Sequence, residues 1–145
     1  MLRRIGAFFA GVIVAFVIVQ IAEFGVHAMN PFPPGTNTKD FAEIKKYVAA
    51  LPVSAMVLVL SGWLVGTFAG TFTASRIARS PIPGYILTGL LLGAGIVNSI
   101  LIPQPVWFSI VSYIIYLVAG FAGTRLGARA AVAPSVRPPA SNASA

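Results

Sequence analysis

Apolar residues fall into four long stretches, Ile5–Ala28, Val53–Ala74, Tyr85–Ile102 and Val106–Thr124, with most of the charge gathered between and beyond them. A membrane-crossing helix needs about 20 predominantly apolar residues. The pattern predicts four spanning helices, over 5–29, 53–75, 84–102 and 106–127, forming one all-α transmembrane bundle across residues 1–129. The third stretch is slightly short, which Gly-rich close packing or local bilayer thinning accommodates.

The breaks are chemically clear. Asn30-Pro31-Phe32-Pro33-Pro34-Gly35 ends the first helix, because proline cannot continue it. Pro52 suits the start of the second helix, where its missing N–H costs little. Pro81-Ile82-Pro83-Gly84 reads as a turn, and Pro103-Gln104-Pro105 as a tight connection. Residues 130–145 are rich in Ala, Pro and Ser and predict a disordered cytoplasmic tail.

Between helices one and two, Phe41, Ile44, Val48 and Leu51 recur at helical spacing. They predict a short amphipathic helix at the membrane interface. The alternative is an extension of helix two. Asn37 or Thr38 is placed to cap its start, and Asp40 suits the positive end of its dipole.

Composition and charge sharpen the class. Hydrophobic residues make up 57% of the chain and charged residues 9%, against about 25% charged in soluble domains. With no cysteine, disulfides, thiolate metal sites and Cys nucleophiles are excluded. The pI of 10.6 does not indicate nucleic acid, because the basic residues sit at the ends of apolar stretches, where anionic headgroups account for them. Arg3, Arg4, Arg76, Arg79, Arg125, Arg129 and Arg137 fall on one side of the predicted bundle. Lys39, Lys45 and Lys46 fall on the other, where Glu23, Asp40 and Glu43 balance them. The positive-inside rule then places both termini in the cytoplasm. Val26-His27-Ala28 imitates a signal-peptide cleavage site, but the apolar core is too long and Glu23 interrupts it, so the first helix is expected to be retained.

Two features carry candidate chemistry. Glu23 and His27 lie four residues apart, on one face of the first helix. Ionisable residues in a spanning segment cost roughly 2.5–3.5 kcal/mol at the helix centre. Glu23 lies about 27 Å along the helix from Ile5, near the outer boundary of the hydrocarbon. Gln20, Asn98 and Gln104 fall near the same end, so Gln20, Glu23, His27, Asn98 and Gln104 form an expected polar cluster. Three readings compete: Glu23 anchored by Asn98, Gln104 or Trp107 with His27 paired to it; a proton- or substrate-handling site open to the outside; and a metal site. The last is disfavoured, since one His and one Glu fall short of the usual three or four ligands. No metal and no cofactor is expected, and no nucleophile is marked by spacing.

The second feature is small residues. Gly62, Gly66, Gly70 and Ala74 recur at strict intervals of four, and Gly120, Gly123 and Gly127 crowd helix four. Such stripes let helix backbones approach closely, either within one bundle or against a partner. Phe68-Ala69-Gly70-Thr71 also matches Phe121-Ala122-Gly123-Thr124, a faint internal repeat. Trp63 and Tyr116 read as packing residues nearer mid-membrane, and Tyr47, Tyr85 and Trp107 as interfacial aromatics.

Glu23-x-x-x-His27 with Pro31-x-Pro33-Pro34-Gly35, then Leu51-Pro52, Gly62-Trp63, Gly66, Gly70 and Arg76, resembles small bacterial four-helix integral membrane proteins of unknown function. The likeness spans roughly residues 20–80. It implies a bacterial inner-membrane address and brings no activity with it. The expected function is a non-enzymatic auxiliary or assembly subunit in the lipid bilayer, packing through its glycine faces as a homo-oligomer or against a larger membrane protein. The alternative is a small transporter or channel component using Glu23 and His27.

Overall fold

The computed structural model describes residues 1–102 and 104–132. It is all-helical over that range: α1 (Leu2–Met29), α2 (Phe41–Ala49), α3 (Val53–Ala78), α4 (Ile82–Leu101) and α5 (Val106–Ala130). All but α2 are long and apolar enough to cross a membrane. The chain is therefore a multi-pass membrane helical bundle with one further short helix, α2. The expected tail lies outside the described residues from 133 onward, as does Arg137; residues 130–132 close α5 and its final turn.

Four helix boundaries differ usefully from the sequence expectation. α1 begins at Leu2 rather than Ile5, so Arg3 and Arg4 belong to its first turn. α3 and α5 run three residues further, carrying Arg76 and Arg129 inside their last turns. α4 begins at Ile82, so Pro83 and Gly84 are helical rather than turn residues. Proline is tolerated there because first-turn N–H groups lack intrahelical partners anyway.

α3 is the hub. It packs against α1, α5 and α4, whereas α1 only grazes α4 and does not approach α5. Small residues make this possible. Gly62, Gly66 and Gly70 all face α1, meeting Ala22, Ala15 with Val19, and Ala15 with Gly11. α1 supplies a matching stripe of Ala7, Gly11 and Ala15, buried at intervals of four. The sequence reading singled out the α3 stripe and missed this partner. A Cβ on Gly70 would stand 2.7 Å from both the Ala15 methyl and the Gly11 carbonyl oxygen. On the other flank, Gly120 meets Thr88 of α4, while Gly123 and Gly127 meet the α3 backbone at Phe68 and Phe72. Gly70 and Gly123, equivalent in the faint repeat, thus face different neighbours.

At one end of the bundle the arginines among the described residues gather, at the start of α1 and the ends of α3 and α5. Arg3 Nη2 donates to the Ala78 carbonyl at 2.9 Å, tying the start of α1 to the end of α3. Arg79 closes α3 in the left-handed conformation, φ 52° and ψ 39°. Gly84 lets α4 begin against Ser75 and Thr124, whose hydroxyls are buried without a hydrogen-bond partner. The opposite end is built from loop 30–40, α2 and the helix ends that carry Glu23 and Asn98.

Candidate functional site

α2 is a separate helix, as the amphipathic pattern requires, and not an extension of α3. Ala50–Pro52 interrupt the two. Its N-cap is Asp40 rather than Asn37 or Thr38: the Asp40 carboxylate accepts from the Ala42 N–H at 2.9 Å. Asn37 lies one turn earlier, and its N–H donates to Glu43 Oε2 at 2.8 Å. The backbone of α2 approaches no other helix closely. Side chains alone hold it over the end of the bundle, as a lid.

That attachment centres on His27. Its ring stacks on Phe32 at 5.0 Å and on Tyr47 at 5.6 Å, with Phe32 and Tyr47 4.1 Å apart. The Tyr47 hydroxyl donates to the Asn30 carbonyl at 2.6 Å. Partial burial raises the Tyr47 pKa above its ordinary value, so the hydroxyl keeps its proton. That proton is committed to Asn30, so His27 Nδ1, 3.0 Å from the same oxygen, is the donor in their contact. The network thus assigns a proton to Nδ1.

The lid covers a cavity of about 330 Å³. Its bundle-side wall holds Met56, Trp63 and Phe108; its lid-side wall holds Phe32, Ile44 and Tyr47. Glu23, His27, Asn98 and Gln104 are its polar groups on or beside the spanning helices. A second cavity of about 290 Å³ follows the slight contact between α1 and α4, from Glu23 down to Val12. Glu23, Trp63 and Asn98 line both. Trp63 sits edge-on to Phe108 at 5.4 Å and stacks on Tyr116 at 5.7 Å.

The predicted polar cluster is therefore brought together in part. Glu23, His27, Asn98 and Gln104 share the cavity under the lid, but Gln20 is exposed on α1 and lines neither cavity. A spacing of three from Glu23 leaves Gln20 rotated off the cavity side. The expected Glu23–His27 pair is not formed: His27 turns to Tyr47 instead. Nor is Glu23 anchored by its polar neighbours. Gln104 Nε2 donates to Ser109 Oγ at 3.2 Å, and Trp107 lies outside the lining. Among the described residues no hydrogen bond or ion pair reaches the half-buried Glu23 carboxylate. No three His, Asp or Glu side chains gather into a metal-binding group among those residues.

Sequence reasoning missed the two aromatic walls. Trp63 and Tyr116 are buried core-packing residues, as expected, and what went unseen is that both also line the inner cavity. Phe32 gave one available signal, an aromatic placed between prolines three residues after the end of α1. No family model, curated protein or solved structure matches this chain. The fold and the geometry of this end define a four-helix membrane protein with a lidded terminal cavity around an unpaired carboxylate.

Proposed function

We propose that this is a non-enzymatic, solute-handling protein of a bacterial inner membrane, a small transporter or channel component whose cavity opens outward. The observation that carries this reading is the unpaired Glu23 carboxylate facing a cavity of about 330 Å³. A half-buried acidic group in an apolar setting is costly unless a ligand, water or proton compensates it. The arginine-rich opposite end supports cytoplasmic termini and an outward-facing lid.

The auxiliary-subunit reading rested on glycine faces open to a partner. Gly62, Gly66, Gly70, Gly120, Gly123 and Gly127 all face this chain's own helices. An assembly role would instead use α4, where Gly89 and Gly93 have no neighbour within 4 Å.

Absence of native cysteine makes the decisive test simple. Glu23→Cys in intact cells should react with a membrane-impermeant thiol reagent added outside. In dye-loaded proteoliposomes, Glu23→Gln should abolish the proton flux carried by the native chain. A residue unreactive from outside, together with unchanged flux, overturns the reading.

A further inference from the structure

The two cavities differ in character, and their junction is the informative place. The outer one is roofed by the aromatic lid. The inner one is walled almost entirely by apolar side chains, Phe16, Leu87 and Leu91 among them, and runs about 16 Å along α1 from Glu23 to Val12. Glu23, Trp63 and Asn98 stand where they meet. A ligand seated at the junction meets one carboxylate and aromatic faces at its head, and an apolar cleft beyond.

Charge narrows the class. Among the described residues, no lysine or arginine lines either cavity. Lys45, the lid cation nearest an aromatic ring, has its ammonium over Phe41 at 5.1 Å, and Phe41 is not a lining residue. An anion would meet the Glu23 carboxylate with no compensating cation. A hard metal ion seeks six or more oxygen ligands, and a single carboxylate beside two carboxamides does not supply them. An organic cation needs less: one carboxylate for its charge and ring faces for the rest, at roughly 0.5–2 kcal/mol per cation–π contact. Trp63 and Phe108 offer such faces beside Glu23.

We propose that the site takes an amphipathic organic monocation, its charged head against Glu23 and its apolar body in the cleft between α1 and α4. This deepens the solute-handling reading and rests on it. The ammonium head is available from a free hydrophobic amine and from a zwitterionic amine-headed lipid that enters sideways through the cleft and leaves its phosphate outside the site.

Trp63 supplies the readout, because Trp107, the chain's other tryptophan, lies outside both cavities. A Trp107→Phe chain in phosphatidylglycerol nanodiscs is titrated with decyltrimethylammonium, decanol and decyl sulfate, with protein-free discs as blank. Decyltrimethylammonium should change Trp63 emission saturably, and decyl sulfate should not. Glu23→Gln should weaken the cation at least about ten-fold, the loss of one charge-assisted contact, and leave decanol unchanged. Glu23→Asp, which keeps the charge, should retain binding and so guard against a folding defect. Repeating the titration with phosphatidylethanolamine in the disc separates the sources: competition identifies a lipid amine as occupant, and its absence a free amphiphile. Equal binding of decanol and the cation, insensitive to Glu23→Gln, overturns the cation assignment, as does a cation response that never saturates. Outside labelling of Glu23→Cys reports separately on the cavity itself, so failure of this assignment and failure of the solute-handling reading remain distinguishable.

Discussion

The Tyr47 hydroxyl donates to the Asn30 carbonyl at 2.6 Å and accepts from His27 Nδ1 at 3.0 Å, so one side chain of the lid holds both the end of α1 and the ring beside the cavity. Because α2 makes no close backbone approach to the bundle, this junction and the aromatic stack carry the lid.

Tyr47→Phe keeps the ring stack and deletes both hydrogen bonds. Each is worth about 0.5–1.5 kcal/mol, so lid opening should become easier by about 1–2 kcal/mol. Amide hydrogen exchange over Phe41–Ala49 should accelerate by roughly five- to thirty-fold, while α3 exchange stays unchanged. Equal protection in both chains would remove Tyr47 as the latch.

Much of this architecture was legible because membrane helices announce themselves: length, apolarity and proline breaks each follow from the cost of unsatisfied backbone in hydrocarbon. The lid helix was legible from the spacing of Phe41, Ile44 and Val48. Depth along α1 put Glu23 at the correct end. What sequence spacing could not supply was azimuth across helices. Gln20 and Glu23 share a nominal face, yet only Glu23 turns into the cavity. Side-chain choice between near-equal partners was also hidden: His27 had Glu23 one turn away and took Tyr47, which a long loop brings back. The α1 stripe escaped notice because alanine carries two of its three positions, Ala7 and Ala15, and alanine alone is a weak signal among so many apolar residues.

Whether the glycine stripe serves this chain or a partner is decided by two substitutions. Gly70→Ala sets a methyl 2.7 Å from a carbonyl oxygen and from another methyl, and neither backbone can retreat without moving α1. Overpacking of this kind costs about 1–3 kcal/mol. Gly93→Ala enters open space and gains helix propensity, which is worth up to about 1 kcal/mol. Unfolding in mixed micelles should rank Gly93→Ala at or above the native chain and Gly70→Ala clearly below it. The reverse order would place the working glycine face on α4.

Arg79 holds a left-handed conformation at the end of α3, which costs an L-residue about 1–2 kcal/mol relative to glycine. Arg79→Gly should therefore raise stability by about 1 kcal/mol, even though it removes an interfacial cation. Arg79→Ala removes the same cation and keeps the backbone cost. The difference between the two variants in micelle unfolding isolates the conformational contribution, and no difference would mean that the turn relaxes freely.

Arg3 and Arg4 are neighbours with the same charge and different roles. Arg3 reaches across to the Ala78 carbonyl at 2.9 Å; Arg4 makes no side-chain hydrogen bond among the described residues. Either residue replaced by Gln subtracts one positive charge from the same end, so topology and headgroup attraction change equally. Only Arg3→Gln also loses a charged donor from the last turn of α3, where carbonyls lack helical partners. A hydrogen bond to a charged group is worth roughly 1.5–3 kcal/mol when shielded, and surface exposure of Arg3 reduces that to about 1 kcal/mol. Arg3→Gln should thus lower the unfolding free energy by about 1 kcal/mol, while Arg4→Gln stays within about 0.5 kcal/mol of native. Matched losses in both would mean that the arginines act through charge alone and that the α1–α3 clasp contributes nothing.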